Sequence, residues 1–345
     1  MKLLILTQAI DRNNPVLGFF YSWVLEFAKH CEKVTVIALG VGEYDLPDIK
    51  VLSLGKETGR SRVKYLARFY RYIWQERKNY DVVFVHMNPE YVVLGGFFWL
   101  VLGKKIGLWC NHKSGNLWLN LAITFAHYLF YTSPFSYLAG RKLKKASQMP
   151  AGINTEKFKV ESKKLKVKNS ILSLGRISVI KNIHILIEAA RILDKENYDF
   201  ILDIYGEPVE RANDLEYFEK IKKDAGELIQ KGEIRLLGGA ANEKTPGIFN
   251  KHELFINLTN SGSLDKTVLE AMACESLVLV SNCSYENILP PQFLFKENDA
   301  VDLAKKIKGI FTLANKEKES LGSQNRNYVV NNHSLILLAE KLFKF

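Results

Sequence analysis

The stretch 257-NLTNSGSLDKTVLEAMACESLVLVSN-282 leads from the end of an apolar strand, ELFINLT (253–259), through a loop of small and polar residues into an apolar helix. That helix carries one acid, Glu270, near its start. A short polar loop suits any α/β protein, and an acid in a first helical turn is favoured by the positive end of the macrodipole. The alternative is a site. Small residues let backbone N–H groups of the loop and helix N-terminus approach an anion, while Glu270 takes a neighbouring hydroxyl. A second apolar run, LVLVS (277–281), follows at once, so strand, loop, helix and strand read as one parallel crossover.

Working outward, the same alternation runs along the whole chain. KLLILT, VTVIALG, IKVLSLG, DVVFVHM, KIGLWCNH and LFYTS are the expected strands of the first half, with helices over 18–30 and 60–77 among the segments between them. After MPAGINTEKF (149–158) the pattern restarts with SILSLGR, FILDIYG, EIRLLGG, ELFINLT and LVLVS, with helices over 182–194 and 214–228. Two such series, divided near Pro150 and the lysine-rich 157–168, predict two α/β domains, residues 1–148 and 149–328. The remaining 329–345 ends in SLILLAEKLFKF, which must bury Leu335, Ile336, Leu337, Leu342 and Phe343. Ligands of open α/β sheets collect beyond the carboxyl ends of strands. The residues placed there are His86, His112, Gly175 with Arg176, Gly206 with Glu207, and the loop from which the reading began.

Composition narrows the class. The chain has 345 residues, 47% hydrophobic and 25% charged, as expected of a soluble globular protein. Its net charge of +11 is uneven: residues 1–150 hold 20 Lys and Arg against 10 Asp and Glu, and residues 151–345 hold 28 against 27. Four scattered cysteines suggest neither zinc nor disulfides and fit a reducing cytosol. MKLLILTQ reads as a first strand, not a leader. Residues 114–140 lack any charge and are long enough to cross a bilayer. Asn116, Asn120, His127, Thr132, Ser133, Pro134 and Ser136 nevertheless break them into helix, strand and helix of a soluble domain. In RSRVKYLARFYRYIWQERKN (60–79), Val63, Leu66, Phe69, Tyr70 and Ile73 recur at helical spacing among cations. Such a helix either lies on an anionic membrane or packs on a core with a solvated basic face. No recognition motif accompanies the charge, so nucleic acid is not expected.

The common phosphate signatures are missing. GxxxxGK[ST] fails because Phe98 stands where the first glycine belongs, and GVG (40–42) does not continue as GxGxxG, which disfavours P-loop kinases and dinucleotide enzymes. No DxD or HExxH marks a metal site. What remains is LSLGRISVIKN (172–182). Arg176 leaves a strand end and Lys181 follows five residues later, a pair suited to a diphosphate, one as a planar fork and one as a point charge. The plain alternative is two solvated surface cations. Glu270, and the backbone N–H groups of Lys266, Thr267 and Val268, favour the diphosphate.

With IYGEP (204–208), MPAGINTEKF and TVLEAMAC (267–274) in the same order, the chain resembles a retaining glycosyltransferase of the GT-B fold, family 4 (group 1). The resemblance spans nearly the whole sequence. It implies two Rossmann-like domains facing across a cleft, with a C-terminal helix crossing back to the first, acceptor-binding domain. Arg176 and Lys181 match the basic pair on the donor diphosphate, and Glu270 matches the acid on the ribose hydroxyls. Thr267 and Val268 match the amides at the diphosphate, in a loop that includes Ser263, Leu264 and Lys266. Gly206 and Glu207 fall in the glycine turn, Gly18 in the N-terminal glycine loop, and His112 at a catalytic-centre histidine. His86 lines the acceptor side or caps the helix beginning at Pro89.

One departure stands out. The family has two glutamates eight apart, and eight before Glu270 is Gly262. The missing acid contacts the transferred sugar. Asp265 or Lys266 stands in for it, or the donor sugar differs, or activity is lost. The implied activity is metal-independent transfer from a nucleotide sugar, with no cofactor, to a glycan or lipid-linked acceptor of the cell envelope, on the cytoplasmic side and with possible contact with an anionic membrane. The competing readings are a non-catalytic nucleotide-sugar-binding or scaffolding protein and a sugar-nucleotide epimerase.

Overall fold

The apolar runs assemble into two all-parallel sheets in a computed structural model. It describes residues 1–345 except 15, 60, 112–115, 134, 136–142, 162–165, 210–211, 263 and 345. The chain divides into two units: Met1–Gly152 with Ala241–Glu243 and Leu335–Phe345, and Ile153–Ala240 with Lys244–Ser334.

Unit 1 holds β1 (Lys2–Ile10), β2 (Lys33–Val41), β3 (Lys50–Ser53), β4 (Val82–His86), β5 (Lys105–Trp109), β6 (Tyr128–Tyr131) and β7 (Ala146–Gln148), in the spatial order β3-β2-β1-β4-β5-β6-β7. Its helices are α1 (Gly18–Ala28), α2 (Arg62–Gln75), α3 (Pro89–Val101) and α4 (Leu117–Phe125). One core, with Phe69, Tyr91, Trp99 and Leu119, lies under α2, α3 and α4. The other, with Phe20, Trp23 and Phe27, lies under α1 on the opposite face. The charge-poor 114–140 yields α4, nine residues long, and then β6. The helix expected after it lies outside the described residues. Among the described residues no helix is long and apolar enough to cross a membrane.

Unit 2 holds β8 (Val167–Leu174), α5 (Ile183–Lys195), β9 (Ile201–Tyr205), α6 (Ala212–Asp224), α7 (Gly226–Gln230), β10 (Ile234–Leu236), α8 (Thr245–Lys251), β11 (His252–Asn257), α9 (Lys266–Ala273), β12 (Leu277–Val280), α10 (Ala300–Phe311) and α11 (Asn315–His333). The strand order is β10-β9-β8-β11-β12. Every residue of β11 and β12 is buried, the apolar run of β12 as parallel sheets require and β11 with its polar His252, Glu253 and Asn257 included. The helix expected over 214–228 divides at Ala225 and Gly226 into α6 and α7.

The last helix, α12 (Leu335–Leu342), belongs to unit 1. Leu335, Leu338, Ala339 and Leu342 join the core of Phe20, Trp23 and Phe27, and the Phe343 ring lies 5.5 Å from that of Phe27. Ile336, however, stays exposed. The return to unit 1 starts at residue 335, not 329. Val329 and His333 are buried in the long helix α11, and Ile153 donates to the His333 carbonyl at 2.8 Å, so residues 329–334 stay with unit 2. At the other boundary, Trp23 Nε1 donates to the Gly152 carbonyl at 2.8 Å, which keeps 149–152 with unit 1.

Candidate functional site

In unit 2 the strand order reverses at β8, which lies between β9 and β11, and the carboxyl ends of β8 and β11 form the crevice where open sheets bind ligands. Gly175 and Arg176 leave β8 there. Together with Lys181, Asn257 and Leu258 they line one recess. Arg176 is exposed. Lys181 ends a 3-10 turn over Val179–Lys181, and Asn182 follows in the left-handed region at φ 49°, donating to the Leu258 carbonyl at 3.0 Å and to Asn260 Oδ1 at 2.7 Å. Asn182 thus ties the Arg176–Lys181 loop to the loop after β11.

Lys181 does not project freely. Its Nζ lies 2.5 Å from Asp265 Oδ2 and 3.0 Å from Thr259 Oγ1. Asp265 caps α9 through Oδ1, which accepts from the Thr267 amide at 3.3 Å and the Thr267 hydroxyl at 2.9 Å, and its Oδ2 also accepts from Asn257 Nδ2 and Thr259 Oγ1, each at 3.1 Å. Burial on its own would raise the Asp265 pKa, but the Lys181 ammonium and these hydrogen bonds outweigh it and hold the group well below the usual carboxylate range. Asp265 is therefore an ionised partner of Lys181. The Thr267 amide points to the Asp265 side chain, and the Val268 amide donates to the Asp265 carbonyl at 3.2 Å. Sequence reasoning missed Asn182, Asn257 and Thr259 in this network. Their only signal was position, next to the motif residues in LGRISVIKN and NLTN.

Glu270, one turn into α9, is 5% exposed; its backbone carbonyl accepts from the Cys274 amide at 3.2 Å, whereas its carboxyl takes no hydrogen bond from the described residues. Burial pushes its pKa up, and Lys266 and Lys157 only partly offset this. Burial likewise lowers the pKa of Lys266, with Glu270 opposing. A buried carboxyl without a hydrogen-bond donor is costly unless a ligand supplies one. Gly262 is buried with φ 149°, a backbone suited to glycine, so a glutamate there would strain the loop. Leu264 is half-buried, and Ser263 lies outside the described residues.

The turn after β9 is tightly built. The Gly206 amide donates to the Gly238 carbonyl at 2.7 Å, and Glu207 Oε1 accepts from the Gly239 amide at 3.2 Å. Gly206 has φ 158°, and a Cβ on it would run into the Gly175 carbonyl oxygen. Gly206→Ala is therefore expected to lose about 2 kcal/mol or more in urea unfolding, whereas Gly232→Ala, which has open space around it, reports the cost of positive φ alone. Equal losses would refute the steric reading.

In unit 1, Gly18 opens α1, and a Cβ there would meet Asn242 Cβ at 2.8 Å. His86 ends β4 buried, stacked on Phe20 at 4.1 Å and edge-on to Phe19 and Trp23, with Thr7 Oγ1 3.5 Å from Nδ1. It does not cap α3, whose N-cap position is Asn88. α1 carries the aromatic residues that enclose it. His112 lies outside the described residues.

Among curated proteins, no sequence matches this chain. Among solved structures, the Anabaena protein Alr3699/HepE in complex with UDP and glucose is similar at TM-score 0.80 and 13% identity over 100% of this chain and 99% of its own. A glycosyltransferase from Rickettsia africae is similar at 0.77 and 18%, covering 99% and 97%. The sucrose-phosphate synthase from Thermosynechococcus elongatus is similar at 0.75 and 15%, covering 100% and 98%. At these identities the likeness is one of fold, and the fold is GT-B. The family model described as glycosyl transferases group 1 matches residues 154–328, which include β8 to β12, the Arg176–Lys181 loop and Glu270. Half of the chain is thereby accounted for, and the protein belongs to the glycosyl transferases group 1 family.

Proposed function

We propose that this glycosyltransferase moves a sugar from a nucleoside diphosphate sugar to a saccharide or lipid-linked acceptor with retention of configuration and without a metal ion. The observation that carries the reading is Glu270, a buried carboxyl with no hydrogen-bond donor among the described residues, on the helix that leaves the switch point lined by Arg176 and Lys181. The ribose hydroxyls supply the missing donors. In the reaction the acceptor oxygen bonds to the anomeric carbon on the face the leaving group departs from. The bond from that carbon to the diphosphate oxygen breaks, and the same oxygen takes the acceptor's proton. Arg176 and Lys181 neutralise the charge that grows on the departing diphosphate, the role a metal would otherwise have. An envelope glycan on a lipid carrier would place the enzyme at the inner face of the membrane.

The test is thermal stabilisation by UDP, GDP and ADP of wild type and Glu270→Ala. UDP is the first choice, since the Anabaena neighbour was solved with it. One nucleotide should stabilise the wild type, by about 2.7 kcal/mol at a hundredfold excess over Kd, and not the variant. Binding by none would overturn the reading. A non-catalytic binding protein is the second reading, favoured by Gly262 and by the ion pair that occupies Lys181. Nucleotide binding without turnover on any acceptor would support it.

A further inference from the structure

Large apolar side chains left exposed are concentrated on α2, α3 and α4. Leu66 (40% exposed), Tyr70 (43%) and Trp74 (54%) form a stripe at helical spacing on α2, beside Phe97 (73%) on α3, with Leu117 (81%) and Trp118 (47%) on α4. The three helices are continuous: Tyr70 donates to the Leu94 carbonyl at 3.0 Å, the Trp74 ring lies 5.9 Å from Phe98, and Gly96 leaves room for Phe125 between α3 and α4. Monomer surfaces rarely leave so many large apolar groups together without a partner.

The segment that holds these helices is mainly basic. Residues 62–128 carry nine Lys and Arg against three Asp and Glu, and of those acids Glu76 is buried against Lys50 at 2.6 Å. Arg77 stacks on Trp74 at 4.1 Å. Exposed aromatics interleaved with cations match the interface of an anionic bilayer, where indole rings sit at headgroup depth and Lys and Arg are drawn to the negative surface. α3 is 13 residues long, about 20 Å, too short to cross a bilayer.

We propose that the outer face of α2, α3 and α4 docks this protein on an anionic lipid surface. This goes beyond the donor reading, extends the membrane alternative for residues 60–79 to two further helices, and stands or falls separately from nucleotide binding. The protein brings its own probe. Trp23, Trp99 and Trp109 are fully buried, so of five tryptophans only Trp74 and Trp118 face outward. Vesicles of phosphatidylcholine with 30% phosphatidylglycerol should sediment the full chain and shift its tryptophan emission to the blue, more weakly at 0.5 M salt and on phosphatidylcholine alone. Trp74→Ser/Phe97→Ser/Trp118→Ser should lower partitioning about tenfold or more while keeping nucleotide-induced stabilisation. Failure to sediment with unchanged emission would overturn the proposal. So would a stable dimer, seen by light scattering, that the triple variant splits, since a second copy would then occupy the face.

Discussion

Lys181→Ala is expected to lose on the order of 10²-fold or more in turnover, the scale set by removing one preorganised group that stabilises transition-state charge. A loss of activity alone would not establish this, because Lys181 also neutralises Asp265 at 2.5 Å in a half-buried network. Removing one member of a buried pair costs about 3–5 kcal/mol by stranding the other charge. The two effects separate in Lys181→Ala/Asp265→Asn. Asparagine keeps an oxygen for the Thr267 amide and carries no charge, so the double variant should recover most of the lost melting temperature and none of the lost rate. Arg176→Ala gives the complementary case: its side chain is exposed and makes no ion pair among the described residues, so rate should fall with little change in melting temperature. Near-native turnover in the double variant would refute the assignment of Lys181 to the leaving diphosphate.

The same pair shows what a linear reading can and cannot reach. Arg176 and Lys181 were legible because one strand end and five residues place them together, and the strands themselves were legible as continuous apolar runs. β7 was not, since Ala146–Gln148 is three residues with no apolar run to announce it. The partner of Lys181 sits 84 residues away, and no local pattern distinguishes an N-cap aspartate that pairs with a distant lysine from one that faces a substrate. Asp265 was accordingly considered as a stand-in for the missing acid. The surroundings of His86 were hidden for a related reason. A strand-end histidine suggests a site, but Phe19, Phe20 and Trp23 on α1 close over it, and helix-to-strand packing is not written in either segment alone. The departure at Gly262 was visible at once, whereas its backbone meaning, φ 149°, was not.

Glu270→Leu should weaken nucleotide binding about a hundredfold or more while making the unliganded protein more stable at pH 8. The binding loss follows from two charge-assisted hydrogen bonds to ribose at about 1.5–3 kcal/mol each. The stability gain follows from burial. A carboxyl whose folded pKa lies above its unfolded value of 4.5 keeps its proton in the native state after the unfolded chain has lost it, so wild-type stability falls as pH rises from 4.5 through the raised folded value. Leucine has nothing to ionise and fills a similar volume. Its advantage should be least near pH 4.5, should open as pH rises, and should level off above the folded pKa. Lys266, already lowered by burial, loses an opposite charge in the variant, which limits the gain to about 1 kcal/mol, or roughly 2–4 °C. Melting temperatures of both proteins across pH 4.5 to 8.5, with and without UDP, read both effects in one experiment. A variant less stable than wild type at pH 8 would mean that the protein itself satisfies the carboxylate, and the ribose would lose its claim on Glu270. A more stable variant that no longer responds to nucleotide would mark a carboxylate kept at a cost to the fold because the donor needs it.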